Sequence, residues 1–378
     1  FFTLEERLLT EARVVLLYVR WILLPIPADL GLFHDDIQLS TSLFSPFTTA
    51  ISIAALAIAT LLAIVYRTRL PMISFGVLFF LAGHVMESTF IPLEIAFEHR
   101  NYLPSLGILA IIFYYLLLPG TTYQITAIRK YSAIALILLL GVITYNRAQD
   151  WSSNIRLFVT ESANHPMSPR ANYETGKIYG QILERGTNDT DRYYKLAQHY
   201  FLASTKARDN FTSGLFGLIL SSKDAGKTIQ PVWVNELLFR LENTAFEKVN
   251  LLWLKSLNQC IQSNRCTQEE LQYEKMLQAS LNNKYIKNKE KGILNIIVSE
   301  YQYNVKKSID LAAKYTANAI KKSPGNVQYR IRYAQLLLLD QKYDNALSAL
   351  EQASARDNNN LHSENIDALY NLILRKKR

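Results

Sequence analysis

Phe47–Tyr66 reads FTTAISIAALAIATLLAIVY, twenty residues without a charge. A helix of that length rises about 30 Å, enough to cross the hydrocarbon core of a bilayer. Residues 1–145 hold further apolar stretches at Met72–Glu87, Leu103–Leu118 and Tyr131–Tyr145. These are shorter, and they span where a helix runs into the interface or the bilayer thins. Leu8–Leu24 differs, because Glu11, Arg13, Arg20 and Trp21 interrupt its leucines and valines. It reads either as an interfacial amphipathic helix or as a spanning helix whose charges face a bundle interior.

The chain average of 49% hydrophobic residues conceals a division. Residues 146–378 are rich in Lys, Asn, Gln and Tyr and look like a water-facing helical protein. The expected fold is therefore all-α: a helical transmembrane domain over 1–145, then a helical-repeat domain over 146–378. The net charge of +9 comes from Lys and Arg scattered among carboxylates, which argues against nucleic acid. Anionic membrane lipid or a phosphate-bearing substrate is the better-matched partner. The opening FFTLEERLL has no starting methionine and no signal-like region, so the chain reads as the continuation of a longer protein.

Arg67 and Arg69 lie between the first two spans, and Arg129 and Lys130 lie just before the last one. The positive-inside rule makes that side cytoplasmic. The 25–46 loop, the 87–103 segment and everything after Tyr145 then face outward. The two outer loops are rich in ionisable groups: His34, Asp35 and Asp36 in the first, Glu87, Glu94, Glu98, His99 and Arg100 in the second. Charge of that density at a membrane is expensive, which marks the loops as candidates for one shared site.

The repeat pattern is clearest in Val327–Asn360, preceded by Ser323, Pro324 and Gly325. Ala334, Tyr343, Ala346, Leu350 and Ala353 match a tetratricopeptide frame, with Gln341 where the turn glycine is usual. One period earlier the frame finds Ala312, Ala319 and Pro324, and one period later Ala368. Pro166, Gly176 and Tyr179 fit the first helix of another unit, while 187–290 is helical without keeping the period. Such solenoids bind peptides or partners along their concave face. Cys260 and Cys266 can pair in an oxidising compartment; without a nearby histidine they make a poor metal site. The triplets at Asn188 and Asn210 fit glycosylation acceptors but arise often by chance.

The stretch Phe90–Gly107 (FIPLEIAFEHRNYLPSLG) resembles the late transmembrane region of the transmembrane O-mannosyltransferase-like proteins and their bacterial relatives. Leu9–Arg20, the Leu23–Pro25 segment and Asn146–Trp151 look like neighbouring elements of the same proteins, so the resemblance covers about 1–185. It implies a multi-span fold of the lipid-dependent (GT-C type) glycosyltransferases. It also implies transfer of a sugar from a polyprenyl-phosphate carrier to a protein or glycan outside the cytoplasm, at the cell inner membrane with the repeats in the periplasm. In such enzymes the catalytic carboxylates sit in the first outer loop, upstream of Phe1. Only the carrier-binding side of the site is then expected here.

Within that frame Arg100 either holds a carrier phosphate by paired hydrogen bonds or staples the loop through Glu98 or Glu94. His99 either contacts the phosphate or satisfies a loop carbonyl. Glu94 and Glu98 share a face if the segment is helical. They then either bind a divalent cation with the phosphate, act in acid–base work, or pair with Arg100. Glu87 belongs to either set. His34, Asp35 and Asp36 look like a metal or base site, although adjacent residues point apart and a solvated turn is the stronger expectation. Arg147 and Trp151 read as interface anchors. Two other readings remain: a non-enzymatic membrane-anchored repeat scaffold for envelope or pilus proteins, and a flippase or glycan-polymerising enzyme that uses the same carrier.

Overall fold

The computed structural model describes residues 2–89, 91, 93–118, 123–267 and 272–377, and every regular element among them is helical. The chain divides into two compact units, Phe1–Tyr179 and Gly180–Arg378. Composition changes near residue 146, but the packing boundary comes later, because residues 147–170 fold back onto the loops of the first unit.

The first unit contains α1 (Leu4–Leu23), α2 (Thr48–Val65), α3 (Pro71–His84), α4 (Tyr102–Leu117), α5 (Tyr123–Asp150), α6 (Asn154–Asn164) and the greater part of α7 (Pro169–Arg185). Three helical stretches are long and apolar enough to cross a membrane: Thr48–Val65, Glu98–Leu117 and Thr126–Asp150; Pro71–His84 is apolar but shorter. The last helix extends well beyond the expected Tyr131–Tyr145, and Glu87 lies in the turn past the end of α3 rather than in a span.

Helix α1 starts at a capping box: the Thr3 hydroxyl accepts from the Glu6 amide and the Glu6 carboxylate accepts from the Thr3 amide. Its buried residues are Arg7, Thr10, Glu11, Val14, Val15, Tyr18 and Trp21. That spacing is one helical face, turned onto α2 and α4. Arg7, Thr10 and Glu11 thus face the bundle, which meets the second expectation for Glu11 but not for Arg13 and Arg20. Arg13 and Arg20 sit at its edge, donating to the Gln38 carbonyl and to Asp29.

Helices α3 and α4 pack through two facing glycines. A Cβ on Gly76 would lie 2.4 Å from the Gly107 carbonyl oxygen, and one on Gly107 would lie 2.4 Å from that of Gly76. Apolar helices in lipid gain little from hydrophobic burial against one another, so close backbone approach at small residues supplies the contact.

The second unit holds α8 (Thr190–Ala207), α9 (Ser213–Asp224), α10 (Pro231–Asn243), α11 (Lys248–Gln262), α12 (Tyr273–Asn282), α13 (Asn288–Asn304), α14 (Ile309–Lys322), α15 (Val327–Leu339), α16 (Tyr343–Ser354) and α17 (Ser363–Lys377). Helices α13 to α17 pack in chain order, each on the next. Ala312, Ala319, Ala334, Ala346 and Ala353 are fully buried where these helices meet. Ala368 is exposed instead, and α17 docks through Ile366 and Ile373. Gln341 does take the left-handed conformation of a turn glycine, with φ +59°. Cys260 and Cys266 form a disulfide that closes the turn after α11.

Candidate functional site

The two polar loops of the first unit meet. Between them, 25–46 and 87–103 carry six carboxylates (Asp29, Asp35, Asp36, Glu87, Glu94, Glu98) against one arginine, Arg100. The remaining cations come from elsewhere in the chain: Arg7 and Arg20 from α1, Arg147 from α5, His165 and Arg170 from the segment around the start of α7.

Arg100 is buried, and it pairs with neither carboxylate expected of it. Its Nε lies 3.4 Å from Glu87, its Nη1 donates to the Glu94 carbonyl at 2.5 Å, and its guanidinium lies over the Phe97 ring at 5.2 Å. His99 is exposed, with its ring 5.1 Å from that of Phe97. Glu94 and Glu98 do not share a helical face, because Glu94 precedes the single 3-10 turn Glu98–Asn101. They point to different arginines: Glu94 takes both ends of the Arg170 guanidinium, at 2.8 and 2.6 Å, and Glu98 pairs with Arg147.

The first loop is more deeply held than a solvated turn. His34 is 5% exposed, packs on Trp21 at 4.6 Å, and brings Nε2 to 3.6 Å from Glu98. Asp35 accepts from the Ser168 hydroxyl and from Arg170 Nε at 3.0 Å. Asp36 lies 3.0 Å from His165 Nδ1. Adjacent residues point apart, as expected, but both find partners in the 165–170 segment. Arg170 bridges the loops directly, since it holds Asp35 and Glu94 together.

Beneath this layer Arg7 closes the second loop from inside. It is 1% exposed, pairs with Glu11 at 2.8 Å, and donates to the carbonyls of Glu87 (2.8 Å), Thr89 (3.0 Å) and Leu93. The Tyr18 hydroxyl donates to the Phe97 carbonyl at 3.1 Å and accepts from its amide at 2.9 Å. Asn101 donates to the Tyr18 carbonyl, and His84 stacks on the Tyr18 ring at 4.9 Å.

The hydrogen bond that the His165 ring donates to Asp36 raises the His165 pKa above its ordinary value against the opposing effect of burial. Burial alone would raise Asp36, but the bond and charge of His165 outweigh it and hold the carboxyl below its usual range. Burial raises Glu161, although its carboxylate accepts from the Phe33 amide at 2.9 Å. For Arg170, burial opposes the charge and is overcome by Glu94 and Asp35, so its pKa rises.

Among the described residues no group of three or more His, Cys, Asp and Glu side chains is arranged to hold a metal ion. The chemistry available is that of paired charges: partly exposed guanidinium groups that can exchange a carboxylate for another oxyanion, and a histidine–aspartate pair. No protein-family model matches the chain, and no curated protein matches it at a significant level.

The sequence reading missed Arg7, Arg170, His165 and Glu161, and took Arg147 for an interface anchor. A usable signal was the charge imbalance of the two loops. Six carboxylates against one arginine require cations from elsewhere, and Arg147 and Arg170 are arginines that follow the apolar run ending at Tyr145.

Proposed function

We propose that this chain belongs to a membrane glycosyltransferase-like protein. It moves a sugar from a polyprenyl-phosphate carrier to a protein or glycan acceptor, and a tetratricopeptide-like repeat domain binds the acceptor. In this reading the apolar helices lie in the cell inner membrane and the repeats face the periplasm. The observation that carries it is the joining of the two loops into one charge-dense layer beside span-length helices, with Arg147 and Arg170 side chains 26% and 33% exposed. A guanidinium that already holds carboxylates in paired geometry has the geometry for a phosphate. The carrier-binding role thus moves outward, from buried Arg100 to Arg147 and Arg170, with exposed His99 next in sequence to Glu98, the partner of Arg147; Arg100, Glu87 and Glu94 shape the loop.

The repeat assignment is supported by the buried alanines of α14 to α16 and by the left-handed turn at Gln341. The Cys260–Cys266 disulfide suits an oxidising compartment. The test is transfer of radiolabelled sugar from a polyprenyl-phosphate donor by membranes containing the full-length protein. Arg147→Ala is expected to reduce transfer at least tenfold at matched abundance. Unchanged transfer in that variant would remove Arg147 and the proposed layer from the reaction.

One observation favours the scaffold reading instead. Every carboxylate of the two loops already has a cationic partner within the first unit. If the layer serves only to close the fold, Arg147→Ala lowers the abundance of folded protein and the wild-type chain transfers no sugar.

A further inference from the structure

In contrast to the compensated layer of the first unit, one cation of the second unit is buried without a counter-charge. Arg330, on α15, is 4% exposed. Its Nη1 donates to the Asn326 carbonyl at 3.3 Å, its Nε has no hydrogen-bond partner, and it takes part in no ion pair among the described residues. Burying a guanidinium without an anion is unfavourable unless a ligand supplies one.

Arg330 lines a cavity of about 340 Å³ formed by α14, α15 and α16. Lys321, Tyr333, Asn345, Ser348 and Gln352 line it as well, and no carboxylate does among the described residues. Lys321 is exposed and likewise has no ion pair among the described residues. Arg356 lies close enough to Arg330 to add positive potential. A second cavity, of about 320 Å³ beside Tyr301, is different: there Glu274 is matched by Lys306.

We propose that the α14–α16 cavity binds a carboxylate of an acidic peptide segment, seated on Arg330 and Lys321, with Asn345, Ser348 and Gln352 positioned to bond the peptide. Its volume is at the lower end for ligand sites and suits one or two side chains of a longer segment rather than a large cofactor. A charge-assisted hydrogen bond to Arg330 would give the buried guanidinium the partner it lacks. The inference deepens the reading of this part as an acceptor-binding repeat domain, but it does not require sugar transfer.

The test is fluorescence anisotropy with the full-length protein in neutral detergent, using fluorescein-labelled hexaglutamate as probe and hexaglutamine as control. Saturable binding of hexaglutamate alone is expected, weakened about tenfold or more by Arg330→Met, the scale of one hydrogen bond to a charged group. Lys321→Gln, at an exposed position, should weaken it several-fold without disturbing the fold, and Lys284→Gln outside the cavity should not change it. Equal binding of both peptides overturns the proposal, as does wild-type affinity in Lys321→Gln. Displacement by inorganic phosphate at the peptide's own concentration also overturns it, because the cavity would then be a general anion site. Intact hexaglutamate binding in a protein that transfers no sugar would sink the transferase reading and leave this one standing.

Discussion

Replacing Arg7 by methionine tests whether the second loop is held from beneath. The guanidinium is 1% exposed and makes four contacts: the Glu11 carboxylate and the carbonyls of Glu87, Thr89 and Leu93. Methionine keeps much of the volume, so packing loss is small and the effect is electrostatic. Breaking a buried ion pair from one side costs about 3–5 kcal/mol, because the other charge stays behind without a partner. The carbonyls add less than their number suggests, since water can reach part of this loop. Glu11→Gln removes the same ion pair from the other side but leaves Arg7 its three carbonyls. It should cost about 1.5–3 kcal/mol, the scale of one hydrogen bond to a charged group. The assay is detergent-solubilised protein titrated with sodium dodecyl sulfate and followed by circular dichroism. Alongside it, a single cysteine at Thr89 reports loop opening by its maleimide labelling rate. Arg7→Met should lower stability by the larger amount and speed labelling, and Glu11→Gln should do neither to the same degree. Equal losses in the two variants would mean that the ion pair alone matters and that the carbonyl contacts do not fix the loop.

Gly107→Ala should separate α3 from α4, because the new methyl would meet the Gly76 carbonyl at 2.4 Å; a loss of about 1–3 kcal/mol is expected in the same titration. Gly141→Ala, with nothing within 4 Å of the new methyl, is the neutral control. Gln341→Gly should stabilise the second unit by about 0.5–1 kcal/mol, relieving a left-handed φ of +59° at some entropic cost, as read from its unfolding midpoint. For the His165–Asp36 pair the signs are fixed by the two shifts: His165 is raised, so its contribution is present at low pH and lost as pH rises through its folded value; Asp36 is depressed, so its contribution is lost only as pH falls through its own. The pair therefore holds the 31–36 segment between those limits, with Glu161, His34 and Asp29 also facing it. Hydrogen exchange over 31–36 should accelerate as pH passes above the ordinary histidine range, after correction for intrinsic rates, and His165→Ala should remove that step.

The helices were legible because apolar length and 3.6-residue spacing are local properties. Phe47–Tyr66 could hardly be anything but a long apolar helix, and the polar stripe of α1 needed only the bundle to choose its direction. The meeting of the two polar loops was legible from helix order alone, since alternate connections in a bundle of long apolar helices share an end. What was not legible was which charge meets which. Arg100 is next but one to Glu98 in sequence, yet its carboxylate partner is Glu87, thirteen residues before it. Glu98 instead meets Arg147 at the far end of α5, and Glu94 meets Arg170 beyond it. Pairing of this kind depends on where helices end in space, and neither spacing nor composition encodes that directly. The same limit explains Ala368, which keeps the repeat frame in sequence but lies on the exposed side of α17 because Ile366 and Ile373 dock the helix.

Arg100 apart, the cations that complete the layer come from α1, from the end of α5 and from the 165–170 segment, and this bears on how the site can work. Arg20 takes Asp29, Arg100 takes Glu87, Arg147 takes Glu98, His165 takes Asp36, and Arg170 takes both Asp35 and Glu94. Each of these cations already holds a carboxylate, so on the proposed reading a phosphate that binds one of them must displace that carboxylate. Arg170 is the group with the most to exchange, because releasing Glu94 leaves it still bonded to Asp35. Such an exchange would free Glu94, whose carbonyl still anchors Arg100, without opening the loop beneath. The layer would then couple ligand binding to a change in the contact between the second loop and the 165–170 segment, while the first loop stayed in place. Glu94→Gln separates these cases. If phosphate competes with Glu94 for Arg170, the variant should bind a polyprenyl phosphate more tightly than wild type; if the Arg170 bridge serves only to close the fold, the variant should lose stability and gain no affinity.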